Sequence, residues 1–223
     1  MEYTAIRQRV KDILAELKGT GTELIAVTKT RSVEEINAAI EAGVRHIGEN
    51  RVQELLEKYD RLHLENVQVH LIGRLQTNKV KYVIGKVDLI HSVDSVRLAE
   101  EISRRALSAG TVQRVLIEIN IGGEASKGGV APEELEGLLI EVSKLTGIRV
   151  CGLMCIPPVA AVPNDNLKYF SKMKELSVDI MKKKIDNVIM DVLSMGMSDD
   201  YRDAIKAGSS FVRIGRGIFG PRI

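Results

Sequence analysis

Apolar and polar positions follow two alternating periodicities along this chain. Near the amino terminus, Ile6, Val10, Ile13, Leu14 and Leu17 recur at helical spacing and stop before Gly19. Amphipathic helix patterns then alternate with eight short apolar runs of β type. We predict strands at Leu24–Lys29, His46–Asn50, Val67–Gly73, Leu89–Val93, Val115–Gly122, Val150–Ile156, Val192–Met197 and Phe211–Arg216.

The order of these elements predicts the fold class. Ser32 to Glu35 form a capping box that opens one helix, Pro132 precedes another, and a long charged helix is expected from about Asp165 to Lys183. Several strands are apolar without clean alternation, as expected when helices cover both faces. We therefore predict an α/β fold, a single (β/α)8 TIM barrel with an extra N-terminal helix, covering residues 1–223 as one domain. A doubly wound parallel sheet has the same local pattern and stays the alternative.

Composition narrows the function classes. The 223 residues are 44% hydrophobic and 28% charged, and 32 basic residues nearly balance 30 acidic ones. A net charge of +2 gives no electrostatic case for nucleic acid or an anionic membrane as partner. No apolar stretch approaches 20 residues, and the charged amino terminus is not a signal peptide. Cys151 and Cys155 share one strand, about 13 Å apart, so we expect reduced thiols and a cytoplasmic location.

Polar residues cluster where the predicted strands end. Because a barrel carries its active site at the carboxyl ends of its strands, these residues are expected to share one site. Their types suit an anionic ligand that carries a carbonyl group. In chain order they are Lys29, Glu49, Asn50, Gly73, Arg74, Asn120, Met154, the segment 194–196 and the segment 213–216.

The last two strand ends have the composition of a phosphate site. Ser194-Met195-Gly196-Met197-Ser198 leads towards a helix expected near Asp199, and Gly215-Arg216-Gly217 follows the eighth strand. Glycines let backbone N–H groups approach a phosphate, and helix amino termini add partial positive charge. Either segment alone reads as a turn, whereas both together at neighbouring strand ends favour phosphate binding.

Lys29 admits two interpretations. An isolated lysine at a strand end is usually a solvated charge. Among apolar barrel residues the same amine would be partly desolvated, which lowers its pKa and makes it a nucleophile towards carbonyls. A phosphate-bearing aldehyde would satisfy Lys29 and the glycine loops together.

Other candidates carry weaker signals. None of His46, His63, His70 and His91 has metal-ligand spacing, and we interpret them as structural or loop residues. His70 either points inward near the ligand or packs in the core. Lys127 lies in a glycine-rich loop, from which it reaches a ligand or solvent.

Six motifs together resemble the pyridoxal phosphate homeostasis protein family, which is related to the barrel domain of bacterial alanine racemase. The resemblance runs from about Leu24 to the carboxyl terminus and is highly specific in combination, order and spacing. The motifs are Ala26-Val27-Thr28-Lys29, His46-Ile47-Gly48-Glu49-Asn50, His70-Leu71-Ile72-Gly73-Arg74-Leu75-Gln76-Thr77-Asn78-Lys79, Gly152-Leu153-Met154, Ser194-Met195-Gly196-Met197-Ser198 and Arg213-Ile214-Gly215-Arg216.

The resemblance implies a barrel that binds pyridoxal 5′-phosphate (PLP) as a Schiff base on Lys29. It implies that Ser194 and the backbone around Gly215 and Arg216 hold the phosphate. Arg213 matches an arginine that faces the pyridine nitrogen, and Asn50 matches a residue that lines the ring. We also expect His70, Met154 and Gly196, which lie in the same motifs, at the cofactor.

The resemblance also implies binding without efficient turnover. An arginine beside the pyridine nitrogen keeps it unprotonated, so the ring is a poorer electron sink. Racemases of this type use a second base, a tyrosine from a further carboxyl-terminal domain of a partner subunit. This chain ends at Ile223, so we expect no such domain, and its five tyrosines all fall in helix patterns.

We therefore expect a monomeric PLP-binding protein of intracellular PLP homeostasis that delivers PLP to the apo-forms of PLP enzymes. Two alternatives remain at this point. One is a PLP-dependent amino-acid racemase or lyase. The other is a Schiff-base aldolase that acts on a sugar phosphate without a cofactor and would be colourless, whereas a PLP protein is yellow.

Overall fold

Eight parallel strands close into a barrel in chain order. The computed structural model describes residues 3–124, 127–159, 162 and 164–221. Because β1 pairs with β8 as well as with β2, the sheet has no edges, which confirms the (β/α)8 barrel and excludes the doubly wound alternative. The strands are β1 Glu23–Val27, β2 His46–Glu49, β3 Gln68–Leu71, β4 Leu89–Val93, β5 Gln113–Ile119, β6 Ile148–Cys155, β7 Val188–Met197 and β8 Phe211–Ile214.

Helices surround the barrel, and one of them precedes it as predicted. The capping box at Ser32 is present, with Ser32 Oγ accepting from the Glu35 N–H. A 3₁₀ helix at Thr77–Tyr82 takes the position after β3, and another at Pro132–Glu134 leads into α5. The α-helices are α1 Thr4–Leu17, α2 Val33–Glu41, α3 Val52–Tyr59, α4 Val96–Ser108, α5 Leu135–Val142, α6 Leu167–Lys183, α7 Tyr201–Lys206 and α8 Arg216–Phe219.

The apolar core has two layers. The larger one fills the space between the strands and the helices and includes Phe170 of α6 and Ile117 of β5, both fully buried. The smaller one lies inside the barrel. Its members are Ile25, Leu89, Leu116, Cys151, Met154, Val192 and Phe211.

The predicted strand boundaries differ from the observed ones mainly at the ends. β1 stops at Val27. The Thr28 N–H still donates to the Gly48 carbonyl of β2, but the Arg31 N–H then donates to the Thr28 carbonyl, which turns the chain away from the sheet. Lys29 therefore lies in a turn, two residues beyond its strand. The helix expected near Asp199 begins at Tyr201, because the Asp200 carboxylate accepts from the Met197 N–H at 2.6 Å and holds a turn there.

Both cysteines are buried in β6 as free thiols, in agreement with the reduced state that their spacing predicts. Across the described residues, no helix is long and apolar enough to cross a membrane.

Candidate functional site

A cavity of about 210 Å³ opens at the carboxyl ends of the strands and contains most of the predicted site residues. Its polar groups come from the ends of β1, β2, β7 and β8, which the closed barrel brings together. Apolar side chains of β1, of the end of β7 and of the segments after β3 and β6 form the rest of the wall. The lining residues are Val27, Lys29, Asn50, Ile72, Ile156, Met197, Ser198, Asp199, Arg213, Gly215 and Arg216.

Lys29 lies on the turn after β1, half-buried, and the residue before it is firmly held. Thr28 donates its hydroxyl to Glu49 Oε2 at 3.0 Å, and the Thr28 carbonyl accepts from Lys58 Nζ at 3.2 Å. These bonds fix the backbone from which the Lys29 side chain extends. A half-buried lysine in a cavity wall is suited to covalent chemistry with a carbonyl.

Glu49 connects two walls of the cavity. It is 1% exposed, and besides Thr28 it accepts the Asn50 N–H at 2.8 Å and lies 3.5 Å from Lys58 Nζ. Burial raises the pKa of Glu49 above its ordinary value, although the Asn50 N–H and the Lys58 charge act in the opposite direction. Glu49 thus supports both Lys29 and Asn50 without lining the cavity itself.

Asn50 brings an orphaned acceptor to the cavity. Its Oδ1 is buried and has no hydrogen-bond partner among the described residues. Gly73 at the end of β3 allows the close approach behind it, since a Cβ there would lie 2.3 Å from the Asn50 carbonyl oxygen. A buried amide oxygen without a partner is suited to a ligand that donates a hydrogen bond.

Arg213 of β8 forms the floor of the cavity. Its Nη1 donates to Ser194 Oγ at 2.7 Å and its Nη2 donates to the Cys155 carbonyl at 2.8 Å, so β6, β7 and β8 converge on one guanidinium. Arg213 is 4% exposed, and burial lowers its pKa. An arginine nonetheless stays cationic, so it offers a fixed charge to the ligand.

The ends of β7 and β8 form the polar wall opposite Asn50. Ser198 follows β7 and accepts the Gly217 N–H at 3.3 Å, which joins the two loops. Arg216 forms an ion pair with Asp199 across the same loops. Hydroxyl, backbone N–H and guanidinium groups at two strand ends are the donor set that phosphate requires.

Comparisons with known proteins agree on one family. The family model described as "Alanine racemase, N-terminal domain" matches residues 1–222. A pyridoxal phosphate homeostasis protein of Aquifex aeolicus is 48% identical over 200 residues, covering 90% of this chain and 87% of that protein. Its namesake in Escherichia coli K12 is 39% identical over 202 residues, covering 89% and 85%. The chain belongs to the pyridoxal phosphate homeostasis protein family.

A solved structure extends the family comparison to the ligand. PipY of Synechococcus elongatus PCC7942, determined with PLP bound, is 32% identical and superposes with a TM-score of 0.88, covering 96% of this chain and all of that one. The cavity described above fits PLP. Lys29 offers an amine to the aldehyde, Arg213 a buried cation and Asn50 Oδ1 an acceptor without a partner, and the hydrogen-bond donors at the ends of β7 and β8 suit the phosphate.

Five of the nine residues that the family resemblance placed at the cofactor line this cavity: Lys29, Asn50, Arg213, Gly215 and Arg216. The other four lie behind it. Met154 packs in the inner apolar cluster, and Gly196 packs against α7. His70 and Ser194 are fully buried inside the barrel and hydrogen-bonded to other side chains, so direct contact of these four with PLP stays a prediction.

Ser198 lines the cavity and Glu49 supports it from behind, yet neither is among the residues that the resemblance places at the cofactor. Ser198 belongs to the motif Ser194-Met195-Gly196-Met197-Ser198, in which the resemblance implies that Ser194 holds the phosphate; the position of Ser198 just beyond the end of β7 is the signal that indicates it instead. The sequence predicts Glu49 only as a polar residue at a strand end, because nothing in the local sequence distinguishes a carboxylate that supports the cavity from one that lines it. Lys127 donates to the Pro157 carbonyl at 2.9 Å and pairs with Glu124, so it ties two loops together.

Proposed function

We propose that this protein binds PLP in the cavity at the carboxyl ends of its strands and holds it as a Schiff base on Lys29. The observation that carries the proposal is that Lys29, Arg213 and the loops after β7 and β8 line one cavity. The PLP-bound structure of a family member supports the same ligand. The names of the relatives support a role in PLP homeostasis, and we further propose delivery of PLP to apo-enzymes.

The polar lining residues would then bind three different parts of the cofactor. The Lys29 amine adds to the aldehyde carbon, and loss of water leaves a C=N bond that tethers the cofactor. Ser198, Arg216 and the backbone around Gly215 bind the phosphate. Arg213 presents its cation to the ring nitrogen, which therefore stays unprotonated and weakens the ring as an electron sink.

Binding without efficient turnover follows from the bases that the cavity offers. Racemisation requires proton transfer on both faces of one carbon. Among the lining residues that the structure describes, Lys29 is the only amine and Asp199 the only carboxylate, and Asp199 is paired with Arg216. None of the tyrosines lines the cavity; Tyr201, for example, lies on α7 and donates to Glu16 at 2.7 Å.

Borohydride reduction tests the tether. Reduction of the yellow protein and peptide mapping should place one pyridoxyl group on Lys29, and Lys29→Ala should abolish it. Lys127→Ala is the matched control, because Lys127 bonds Pro157 beside the lining residue Ile156 yet is not itself part of the cavity wall. A label on another lysine, or a colourless protein, contradicts the proposal.

Delivery needs a separate measurement. When PLP-loaded protein is mixed with an apo-enzyme, the activity of that enzyme should be restored even while a scavenger removes free PLP. Lys29→Ala protein should not restore it. Restoration only at the rate of spontaneous PLP release would contradict delivery. Racemisation of alanine or serine at enzyme-like rates would contradict a binding role.

A further inference from the structure

Three histidines form a continuous row inside the barrel. His46 Nδ1 lies 3.1 Å from His70 Nε2, and His70 Nδ1 lies 2.9 Å from His91 Nε2. Neighbouring rings meet edge to face, with centroids 5.2 and 5.1 Å apart. His70 and His91 are fully buried, and His46 is 7% exposed.

The strand register explains the row. His46 of β2 pairs with Gln68, and His70 lies two residues further along β3; His70 pairs with Leu89, and His91 lies two residues further along β4. A step of two residues keeps each side chain on the same face of the sheet. The stagger of a closed barrel therefore carries the row diagonally, from the amino ends of the strands towards the carboxyl ends.

Each end of the row meets a group of fixed hydrogen-bonding character. At the upper end, His91 Nδ1 lies 3.0 Å from Ser194 Oγ, which also accepts from Arg213 Nη1 at 2.7 Å. At the lower end, His46 Nε2 lies 2.5 Å from Glu23 Oε2, and the Glu23 side chain is 63% exposed. Arginine only donates, and an ionised carboxylate only accepts.

These two ends set one direction for every bond between them. Ser194 Oγ can accept two hydrogen bonds, but among the described residues its only partners are Arg213 and His91, so its own proton has His91 Nδ1 as its acceptor while it accepts from Arg213. His91 then donates from Nε2 to His70, His70 from Nε2 to His46, and His46 from Nε2 to Glu23. All three rings carry their proton on Nε2.

We propose that Glu23, His46, His70 and His91 are positioning residues, forming a one-directional hydrogen-bond chain that holds the Ser194 hydroxyl as the acceptor of Arg213. The chain thereby fixes the orientation of the guanidinium in the cavity floor, and only the consequence of this orientation for PLP rests on the proposed function. A second proton on His91 would place a donor against Ser194 and reverse the bond. Burial first, and then the neighbouring histidine and arginine side chains, lowers the pKa of His70 to about 3 and that of His91 well below its ordinary range, which supports neutral rings at these two positions.

Imidazole nitrogen NMR on the PLP-free protein tests the chain directly. At about pH 8, above the ordinary histidine pKa of about 6.5, ¹⁵N–¹H correlations should show His46, His70 and His91 each protonated at Nε2 alone. His63, which is exposed and outside the row, is assigned from His63→Gln and serves as the reference ring. An Nδ1–H form, or mixed tautomers, in any of the three rings overturns the proposal.

Ser194→Ala tests the link to Arg213, with Ser177→Ala as its matched control. Ser177 is also a buried serine, 3% exposed, and it donates to the Met190 carbonyl outside the row. Ser194→Ala should shift the His91 Nδ1 resonance, weaken PLP binding about tenfold and alter the pH profile of the visible band, whereas Ser177→Ala should do none of these. Ser194→Thr should restore them. Equal effects of the two alanine variants would overturn the proposal.

A surface variant covers the case in which Ser194→Ala fails to fold. Glu23→Ala removes the final acceptor at an exposed position and should shift the ring nitrogens of both His46 and His70. Glu41, an exposed glutamate of α2 that pairs with Arg7 outside the row, provides the control, and Glu41→Ala should shift neither ring. A shift absent from both rings overturns the chain. If the wild-type rings show the expected tautomers but no visible band of bound PLP forms, only the proposed function fails. If the PLP band forms but the rings show mixed tautomers, only this inference is overturned.

Discussion

The inside of the barrel and the layer around it are both closed to water, yet they are filled with different chemistry. The outer layer is mainly apolar, with a few hydrogen-bonded polar side chains such as Ser177, and it joins every strand to a helix. The inside combines seven apolar residues with a row of histidines, a serine and an arginine. The outer layer requires only volume and hydrophobicity, whereas the inner groups require specific partners. Fold and ligand site are therefore specified by separate sets of side chains.

Removing a large side chain from the outer layer should have the largest effect on stability. Phe170→Ala should lower the free energy of unfolding by about 3–5 kcal/mol, measured by urea denaturation, because Phe170 is fully buried between α6 and the barrel. The folded fraction should keep its borohydride label on Lys29. Met181→Ala on the exposed face of α6 should change stability by less than about 0.5 kcal/mol. Loss of the label from folded Phe170→Ala protein would contradict the conclusion that separate sets of side chains specify the fold and the ligand site.

Disturbing the contact between β7 and α7 should have an intermediate effect on stability. Gly196 has φ +91°, and a Cβ there would lie 2.5 Å from Ala204 Cβ, so Gly196→Ala should lower the free energy of unfolding by about 1–3 kcal/mol. Gly208 has a similar φ of +83° but open space, with Lys174 Cε at 3.8 Å. Gly208→Ala should therefore cost less, and the difference in melting temperature measures packing alone. Equal losses of stability in the two variants would mean that backbone strain, and not packing against α7, is the reason for a glycine at position 196.

The smallest effect should come from Glu49 and should depend on pH. Because its pKa is raised in the folded state, Glu49 stabilises most below its ordinary value of 4.5 and less as pH rises through the folded pKa. The stability of Glu49→Gln relative to wild type should therefore increase between about pH 4 and about pH 7 in urea titrations.

Glu16 provides the opposite case for that measurement. Hydrogen bonds from Arg202 and Tyr201 lower its pKa, so Glu16→Gln should lose stability relative to wild type over the same interval. Parallel slopes for the two variants would contradict the assignment of burial as the dominant influence on Glu49.

The elements were predictable because their signals are local. The eight apolar runs located all eight strands, and β4 was predicted at its observed bounds. Errors lay at the ends, where pairing with neighbours decides: Lys29 is in a turn and not in β1, and β7 begins at Val188, four residues before the predicted start. Five of the predicted ligand residues line the cavity, because closure of a parallel barrel gathers strand ends at one face.

By itself, the sequence determined the barrel, the lysine, the arginine and the glycine loops, since periodicity and motif order are properties of the chain. It left three histidines about twenty residues apart without an evident relation. Only the stagger of the closed barrel decided that His46, His70 and His91 touch, that Ser194 belongs to their row and that Ser198 lines the cavity. Side-chain hydrogen bonds across strands depend on register, and register is fixed only when the whole sheet closes.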